Sequence, residues 1–104
     1  MLNLEELEQL VTFADLGTLS KAAEHLHISQ PSITRTMQHL EDAFGVSLFV
    51  RGKNRIALNQ TGEKAVALAR TLLADADHVL QEVQSFDRRL HTIAVESCAP
   101  APLW

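Results

Sequence analysis

Cysteine, long apolar runs and a basic amino terminus are scarce or missing in this chain of 104 residues. The single cysteine, Cys98, excludes a disulfide within the chain and a zinc site built on cysteines. No apolar run approaches the roughly 18 residues of a membrane-spanning helix, and residues 1–6 lack the basic start of a secretory signal. These absences predict a cytoplasmic protein with no membrane partner. The length, with 46% hydrophobic residues, suits one modest globular domain.

Residue types used in catalysis are present but do not form a recognisable group. His25 and His27 stand two positions apart, a spacing that faces different ways on a helix. Ser29, His39 and Asp42 include the types of a catalytic triad, yet Ser29 is expected to cap a helix and no nucleophile elbow surrounds it. No glycine-rich phosphate loop is present. The sequence therefore predicts that the chain is not an enzyme and carries no cofactor.

An excess of positive charge is also missing, since the net charge is −4. The charges are unevenly placed, however. Residues 1–20 carry four acids and no base, whereas residues 21–64 carry six bases and four acids, a local charge of +2. Residues 65–104 carry three arginines and five acids. A partner with phosphate groups would therefore meet the middle of the chain, and its non-specific affinity should be modest.

That middle region begins with a pattern typical of a helix-turn-helix. Ser20 is expected to cap a short helix, His27 and Ile28 to form the turn, and Ser29 to cap a second helix over residues 29–44. Pro31 suits the first turn of a helix, where its missing N–H costs nothing, and Gly45 suits the end. A first helix before this pair would be capped by Asn3 and stopped by Gly17.

The second helix separates apolar from polar side chains. Ile33, Met37, Leu40 and Phe44 follow the 3.6-residue period and would face the core. The polar side chains of the amino-terminal turn would remain outside, where they could bond base edges or phosphates. A plain surface helix hairpin is the alternative, and the pattern alone favours neither strongly.

Beyond Gly45 the apolar period changes from 3.6 to 2. Val46, Leu48 and Val50 alternate with polar or opposite-facing residues, and a second alternating run follows a polar turn at residues 52–54. The pattern predicts a two-stranded wing over residues 48–58. Its three basic side chains would suit a DNA backbone or a minor groove, although charged hairpin tips are also ordinary solvated turns.

The last predicted helix, residues 60–90 with Asn59 as its cap, carries an apolar stripe spaced alternately by four and three residues. Packing of the stripe entirely within the monomer is the alternative, but only three short helices are available to cover it, so a second chain is the favoured partner. The predicted dimer contacts are Ala65, Ala69, Leu72, Ala76, Val79, Val83 and Phe86, with Leu90 ending the stripe. After Leu90, residues 91–95 resemble a strand, and Pro100 and Pro102 cannot continue a helix.

Three runs resemble one family: A-A-E-H-L-H-I-S-Q-P-S-I-T-R at residues 22–35, L-E at 40–41 and G-V-S-L-F-V-R at 45–51. Together they are similar to the amino-terminal domain of LysR-type transcriptional regulators, over about residues 4–90. Val50 stands where the family commonly has an acidic residue, and Thr34 where it often has serine. Asn59 and Thr61 replace its usual threonine and alanine. These departures leave the preferred DNA sequence open.

The resemblance implies a bacterial regulator that binds an interrupted palindrome in double-stranded DNA as a homodimer with antiparallel long helices. Such a protein could assemble further into a tetramer when full length. It also implies that residues 91–104 begin an effector-binding domain, absent here, that would take a small-molecule inducer.

The sequence thus predicts a mainly α fold in which a winged helix-turn-helix, three helices plus a two-stranded wing, precedes a long dimerisation helix. Residues 1–59 would form the DNA-binding domain. A protein–protein interaction module built on the long helix is the alternative function. The predicted DNA contacts are Ser20, Gln30, Pro31, Ser32, Thr34, Arg35, Gln38, Arg51, Lys53 and Arg55.

Overall fold

A computed structural model of the chain describes residues 2–53 and 55–98. Its elements, in chain order, are α1 (Leu4–Leu16), α2 (Leu19–Leu26), α3 (Gln30–Phe44), β1 (Phe49–Gly52), β2 (Arg55–Leu58) and α4 (Gln60–Cys98). The chain divides into two compact units, Met1–Leu73 and Ala74–Trp104. The first unit holds the three short helices, the hairpin and the start of α4; the second holds the rest of α4. The predicted fold class is confirmed by these elements.

The core of the first unit forms where one face of each element meets the others. Leu7, Leu10 and Phe13 from α1 pack with Ile33, Met37 and Leu40 from α3, and Ala22 and Ala23 let α2 approach closely. Leu48 and Phe49 close this core from the hairpin side, and the Phe49 ring packs edge-on against Phe13 with 5.9 Å between centroids. Burying each of the larger side chains contributes about 1.5–3 kcal/mol.

Helix ends are fixed largely by the residues that the sequence predicts. The Asn3 side chain accepts a hydrogen bond from the Glu5 N–H, and Gly17 ends α1 in the left-handed conformation. Ser29 accepts from the Ser32 N–H, and Gly45 ends α3, also left-handed. These caps satisfy backbone groups that a helix leaves unpaired at its ends.

The start of α2 corrects one prediction. Thr18, not Ser20, is the cap: its backbone is extended, and its hydroxyl accepts from the Lys21 N–H at 3.1 Å. Gly17 turns the chain immediately before it, so Leu19 becomes the first helical residue and half-buries its side chain. Ser20 therefore lies exposed in the first turn of α2.

The hairpin also differs from the predicted alternation. Its strands are antiparallel, with Phe49 opposite Leu58 and Gly52 opposite Arg55, but β1 starts at Phe49. Leu48 and Phe49 are both buried, whereas Val46 and Val50 are exposed, so the apolar phase expected for Val46, Leu48 and Val50 is wrong. The reason is that Leu48 precedes the strand: its N–H donates to the Glu41 carboxylate and its carbonyl accepts from the Asn59 N–H, so its side chain is buried outside the alternation of β1. Residue 54 of the predicted turn lies outside the described residues.

The long helix extends further than expected. The Asn59 side chain accepts from the Gly62 N–H at 2.7 Å, which confirms the predicted cap. The strand expected at residues 91–95 is wrong, because α4 continues to Cys98. A helix satisfies its own backbone hydrogen bonds, whereas a strand needs a neighbour to pair with. Pro100, Pro102 and Trp104 lie outside the described residues.

Candidate nucleic-acid interface

The amino-terminal half of α3 presents polar side chains on a firmly held helix. Ile33 and Met37 anchor it in the core, and the Ser29 cap and Pro31 define its first turn. The side chains on its outer face are Gln30, Pro31, Arg35 and Gln38, all exposed. Because the anchors are almost fully buried, the outer side chains project from a rigid backbone, as base recognition requires.

Two hydroxyl groups on α3 are already engaged with its backbone. The Thr34 hydroxyl donates to the Gln30 carbonyl at 2.9 Å, and the Thr36 hydroxyl donates to the Ser32 carbonyl at 3.2 Å. Thr34 is half-buried, whereas Thr36 is buried. With its proton used, the Thr34 oxygen is available to an external group chiefly as an acceptor.

A groove of about 520 Å³ joins three elements of the first unit. It is lined by the second residue of α2, the first residue of α3 and two arginines of the hairpin: Ser20, Gln30, Arg51 and Arg55. Four predicted DNA contacts from distant parts of the sequence therefore share one concave surface. Gly17 and Thr18 also line it, and neither was among the predicted contacts.

A second groove of about 440 Å³ runs along the other flank of α3. It includes three more of the predicted contacts, Ser32, Arg35 and Gln38. Glu6 of α1 and His39 also line it, with His39 Nδ1 3.2 Å from Glu6 Oε2. The predicted residues of α3 are thus divided between its two flanks, and Lys53 lies exposed on the wing.

Charged partners distinguish the basic side chains from one another. An Arg51 guanidinium nitrogen lies 3.8 Å from Glu41 Oε1. Arg70 of α4 donates a 2.6 Å hydrogen bond to Asp15 of α1; this bond is the main reason why the pKa of Asp15 is lowered and that of Arg70 raised. Arg35 and Arg55 form no ion pair within the described part of the chain. Those two guanidinium groups can therefore meet a phosphate or a base without first leaving a partner.

Glu41 was not among the predicted functional residues, although it contacts the segment before the wing. Its Oε2 accepts from the Leu48 N–H at 2.9 Å and from the Ser47 hydroxyl at 3.3 Å. The sequence contains one sign of this role: Glu41 and Asp42 sit in the last turn of a helix that has no base there. An acid at a helix carboxyl end is disfavoured by the helix dipole, so a partner elsewhere is expected.

The predicted dimer positions are divided between core and surface. Ala65 and Ala69 are buried in the first unit's own core, so the prediction that they face a second chain is wrong for this unit. They are small residues beside other core side chains, which the alternating spacing alone could not reveal. Ala76 is half-buried and Leu72 is exposed. In the second unit Val79 and Val83 are 64% and 62% exposed, and Phe86 and Leu90 are exposed as well.

Two kinds of feature are absent from the described ranges, residues 2–53 and 55–98. No group of three or more His, Cys, Asp or Glu side chains there could hold a metal ion. None of the helices in that part of the chain is both long and apolar enough to cross a membrane.

Comparisons with known proteins agree with this geometry. Residues 4–63 match the family described as bacterial regulatory helix-turn-helix protein, lysR family. OxyR of Escherichia coli, a DNA-binding transcriptional dual regulator, is 36% identical over 84 residues, which cover 81% of this chain and 27% of OxyR. The chain thus spans under a third of that relative's length.

Two solved structures extend the comparison. The complex of the CbnR DNA-binding domain with DNA matches with a TM-score of 0.79 and 32% identity, over 83% of this chain and 99% of that one. The complex of the BenM DNA-binding domain with catB site 1 DNA matches with a TM-score of 0.77 and 27% identity, over 83% of this chain and 96% of that one. The family match covers more than half of the chain and agrees with the folded unit, so this chain belongs to the lysR family of bacterial regulatory helix-turn-helix proteins.

Proposed function

We propose that this chain binds double-stranded DNA sequence-specifically as part of a bacterial transcription regulator. The observation that carries the proposal is the joint surface formed by α2, α3 and the wing, where Ser20, Gln30, Arg51 and Arg55 line one groove. A helix with a polar amino-terminal turn beside a basic hairpin can engage a duplex at two places at once. The CbnR and BenM domains, described in complex with DNA, have the same fold.

The two parts of this surface have different roles in the proposal. The outer face of α3 enters the major groove, where base edges carry a distinct pattern of donors and acceptors. Arg35, exposed and without an ion pair in the described ranges, is the side chain best suited to bond a guanine at two positions. The wing contacts the backbone or the minor groove, and its charges supply affinity more than sequence choice.

The chain acts as a homodimer in this proposal. Val79, Leu80, Val83 and Phe86 expose apolar surface on successive turns of α4 in the second unit. A stripe of this kind is normally covered by another helix, and a second copy offers an identical stripe. Two copies would place two α3 helices on an interrupted palindrome, with half-sites separated by about 34 Å or a multiple of it. Sedimentation at micromolar concentration measures this association directly.

The wider role follows the relatives. They are transcriptional regulators, and this chain corresponds to under a third of their length. We propose that it works in the cytoplasm without catalytic activity. A small-molecule inducer would act on a further domain of the full-length protein.

The proposal is tested by a titration with salt. The chain is mixed with fluorescent duplexes, one random and one enriched from a random pool, and anisotropy is recorded at several salt concentrations. If the three wing cations of both protomers contact phosphates, the logarithm of the binding constant should fall with the logarithm of the salt concentration with a slope of about −5. Enriched DNA should bind more tightly than random DNA at every salt concentration. A flat salt dependence would refute DNA binding, and equal affinity for both duplexes would refute sequence specificity.

A further inference from the structure

One carboxylate contacts both the segment that connects α3 to the wing and the wing itself. Glu41 belongs to α3, yet its Oε2 accepts from the Leu48 N–H at 2.9 Å and from the Ser47 hydroxyl at 3.3 Å. Its other oxygen, Oε1, lies 3.8 Å from Arg51 in β1. The carboxylate therefore contacts the wing at its base and on its basic edge at the same time.

The two contacts differ in how readily they are exchanged. The Leu48 N–H is partly buried and belongs to the backbone, so loss of its acceptor would leave a donor unsatisfied. The Arg51 contact is long and open to solvent: the side chain of Arg51 is 57% exposed, and that of Glu41 is 21% exposed. An ion pair of this kind contributes little by itself, so another anion can compete for the guanidinium.

We propose that Glu41 is a positioning residue that pairs with Arg51 in the free protein and releases it to a DNA phosphate on binding. In the free protein, Oε2 fixes the wing to α3 while Oε1 attracts Arg51. When DNA approaches, a phosphate replaces Oε1 at the guanidinium, and the Leu48 contact keeps the wing in place. The inference rests on the proposed DNA binding. It implies that Glu41 lowers the affinity for non-specific DNA, because Arg51 must lose its contact with Glu41 before it can pair with a phosphate.

The chain offers a matched pair of variants for the test. Glu41→Gln removes the charge but keeps an amide oxygen that can accept from the Leu48 N–H. Asp42→Asn removes the same charge from the adjacent, exposed position of the same helix, where no hydrogen bond to the wing is formed among the described residues. Each is made alone and together with Arg51→Gln, and binding to a random duplex is measured at low salt.

Glu41→Gln should bind the random duplex up to about fivefold more tightly than Asp42→Asn, the upper range for an exposed ion pair. In the Arg51→Gln background this difference should vanish, because no guanidinium remains to be released. A purely structural role of Glu41 would not depend on Arg51. Equal affinities of the two single variants, or a gain that persists without Arg51, would overturn the inference. A wild-type chain with no salt-dependent binding would instead refute the proposed function.

A second measurement does not require the Gln variant to fold. The carboxyl carbon of Glu41 is followed by 13C NMR in the wild type and in Arg51→Gln while random duplex is added. The chemical shift of this carbon should change in the wild type, because the Arg51 guanidinium moves away from it. At matched saturation the chemical shift should remain unchanged in Arg51→Gln. The same movement in both proteins would contradict the exchange.

Glu41→Ala separates the structural contact from the electrostatic one. It removes the acceptor of the Leu48 N–H, so the melting temperature should fall by about 4–8 °C, and binding to the enriched duplex should weaken. Rescue of both properties by Gln at the same position is expected. If Gln failed to restore the melting temperature, Oε2 would not be acting as a simple acceptor for the Leu48 N–H.

Discussion

Gly62 is the position where adding a single methyl group should have the largest effect on the DNA-binding unit. A Cβ atom at this residue would lie 2.1 Å from the Leu48 carbonyl oxygen and 2.9 Å from a methyl carbon of Leu58. Non-bonded carbon and oxygen atoms do not approach so closely, so α4 and the wing would have to separate by about 1 Å. Gly62→Ala therefore opposes the packing of α4 against the base of the wing.

The expected cost follows from two opposing contributions. Overpacking of this kind typically destabilises by about 1–3 kcal/mol. Alanine recovers up to about 1 kcal/mol of helix propensity, and less in the first turn, where Gly62 lies. The net loss should be about 1–2 kcal/mol, which lowers the melting temperature of a domain of this size by roughly 5–15 °C. The measurement is thermal unfolding followed by circular dichroism.

Gly52→Ala is the matched control. A Cβ atom there would meet nothing within 4 Å, and the backbone does not require glycine's left-handed conformation. Its free energy of unfolding should change by less than about 0.5 kcal/mol. Gly62→Ala should also weaken DNA binding, since the Leu48 carbonyl that it displaces accepts from the Asn59 N–H. A Gly62→Ala chain as stable as the wild type would refute the close approach of α4 to the wing.

Four further outcomes are expected. Arg35→Ala should cost about 1–3 kcal/mol on enriched DNA and relax the preference at one base pair; equal losses on random DNA would indicate a phosphate contact only. Neutralising any one wing cation should reduce the salt slope by about one unit per protomer, and unchanged slopes would place the hairpin in solvent. The wing cations are Arg51, Lys53 and Arg55. The hydrogen bond from Arg70 lowers the pKa of Asp15. The stabilisation that this bond gives the folded state is therefore present above the ordinary carboxyl pKa and is lost as the pH falls. The difference in melting temperature between wild type and Asp15→Asn should shrink below about pH 4 and should not grow there. Val83→Asp should yield a monomer by sedimentation and weaken binding to two half-sites while leaving the first unit folded; a dimer that persisted would exclude this stripe.

The helix ends were predictable because each depends on a few adjacent residues. Asn3, Ser29 and Asn59 act as caps, and Gly17 and Gly45 adopt left-handed conformations, as their residue types favour. The cap of α2 was mispredicted because Thr18 and Ser20 are both good caps two residues apart. In the structure Thr18 has the extended backbone of a cap and directly follows the left-handed Gly17.

Features that depend on contacts distant in sequence could not be predicted in the same way. The strand phase was wrong because Leu48 lies just before β1, where its N–H donates to Glu41 of α3 and its carbonyl accepts from the N–H of Asn59, the cap of α4. Ala65 and Ala69 follow the same spacing as the exposed positions of α4, yet they lie in the core of the first unit. Periodicity identifies an apolar face but not the surface that covers it.

The backbone of Leu48 is the point at which the wing is fixed to the rest of the first unit. Its N–H donates to Glu41 of α3, its carbonyl accepts from the Asn59 N–H at 3.0 Å, and Gly62 leaves room for that same carbonyl. Three residues outside the wing thus fix the Leu48 backbone, and the additional contact of Glu41 with the exposed Arg51 side chain is long, at 3.8 Å. Substitutions at positions such as Arg51 can therefore change what the wing binds without moving it. Stability and DNA preference can then vary separately, because the residues that hold the wing in place are not those that would contact DNA.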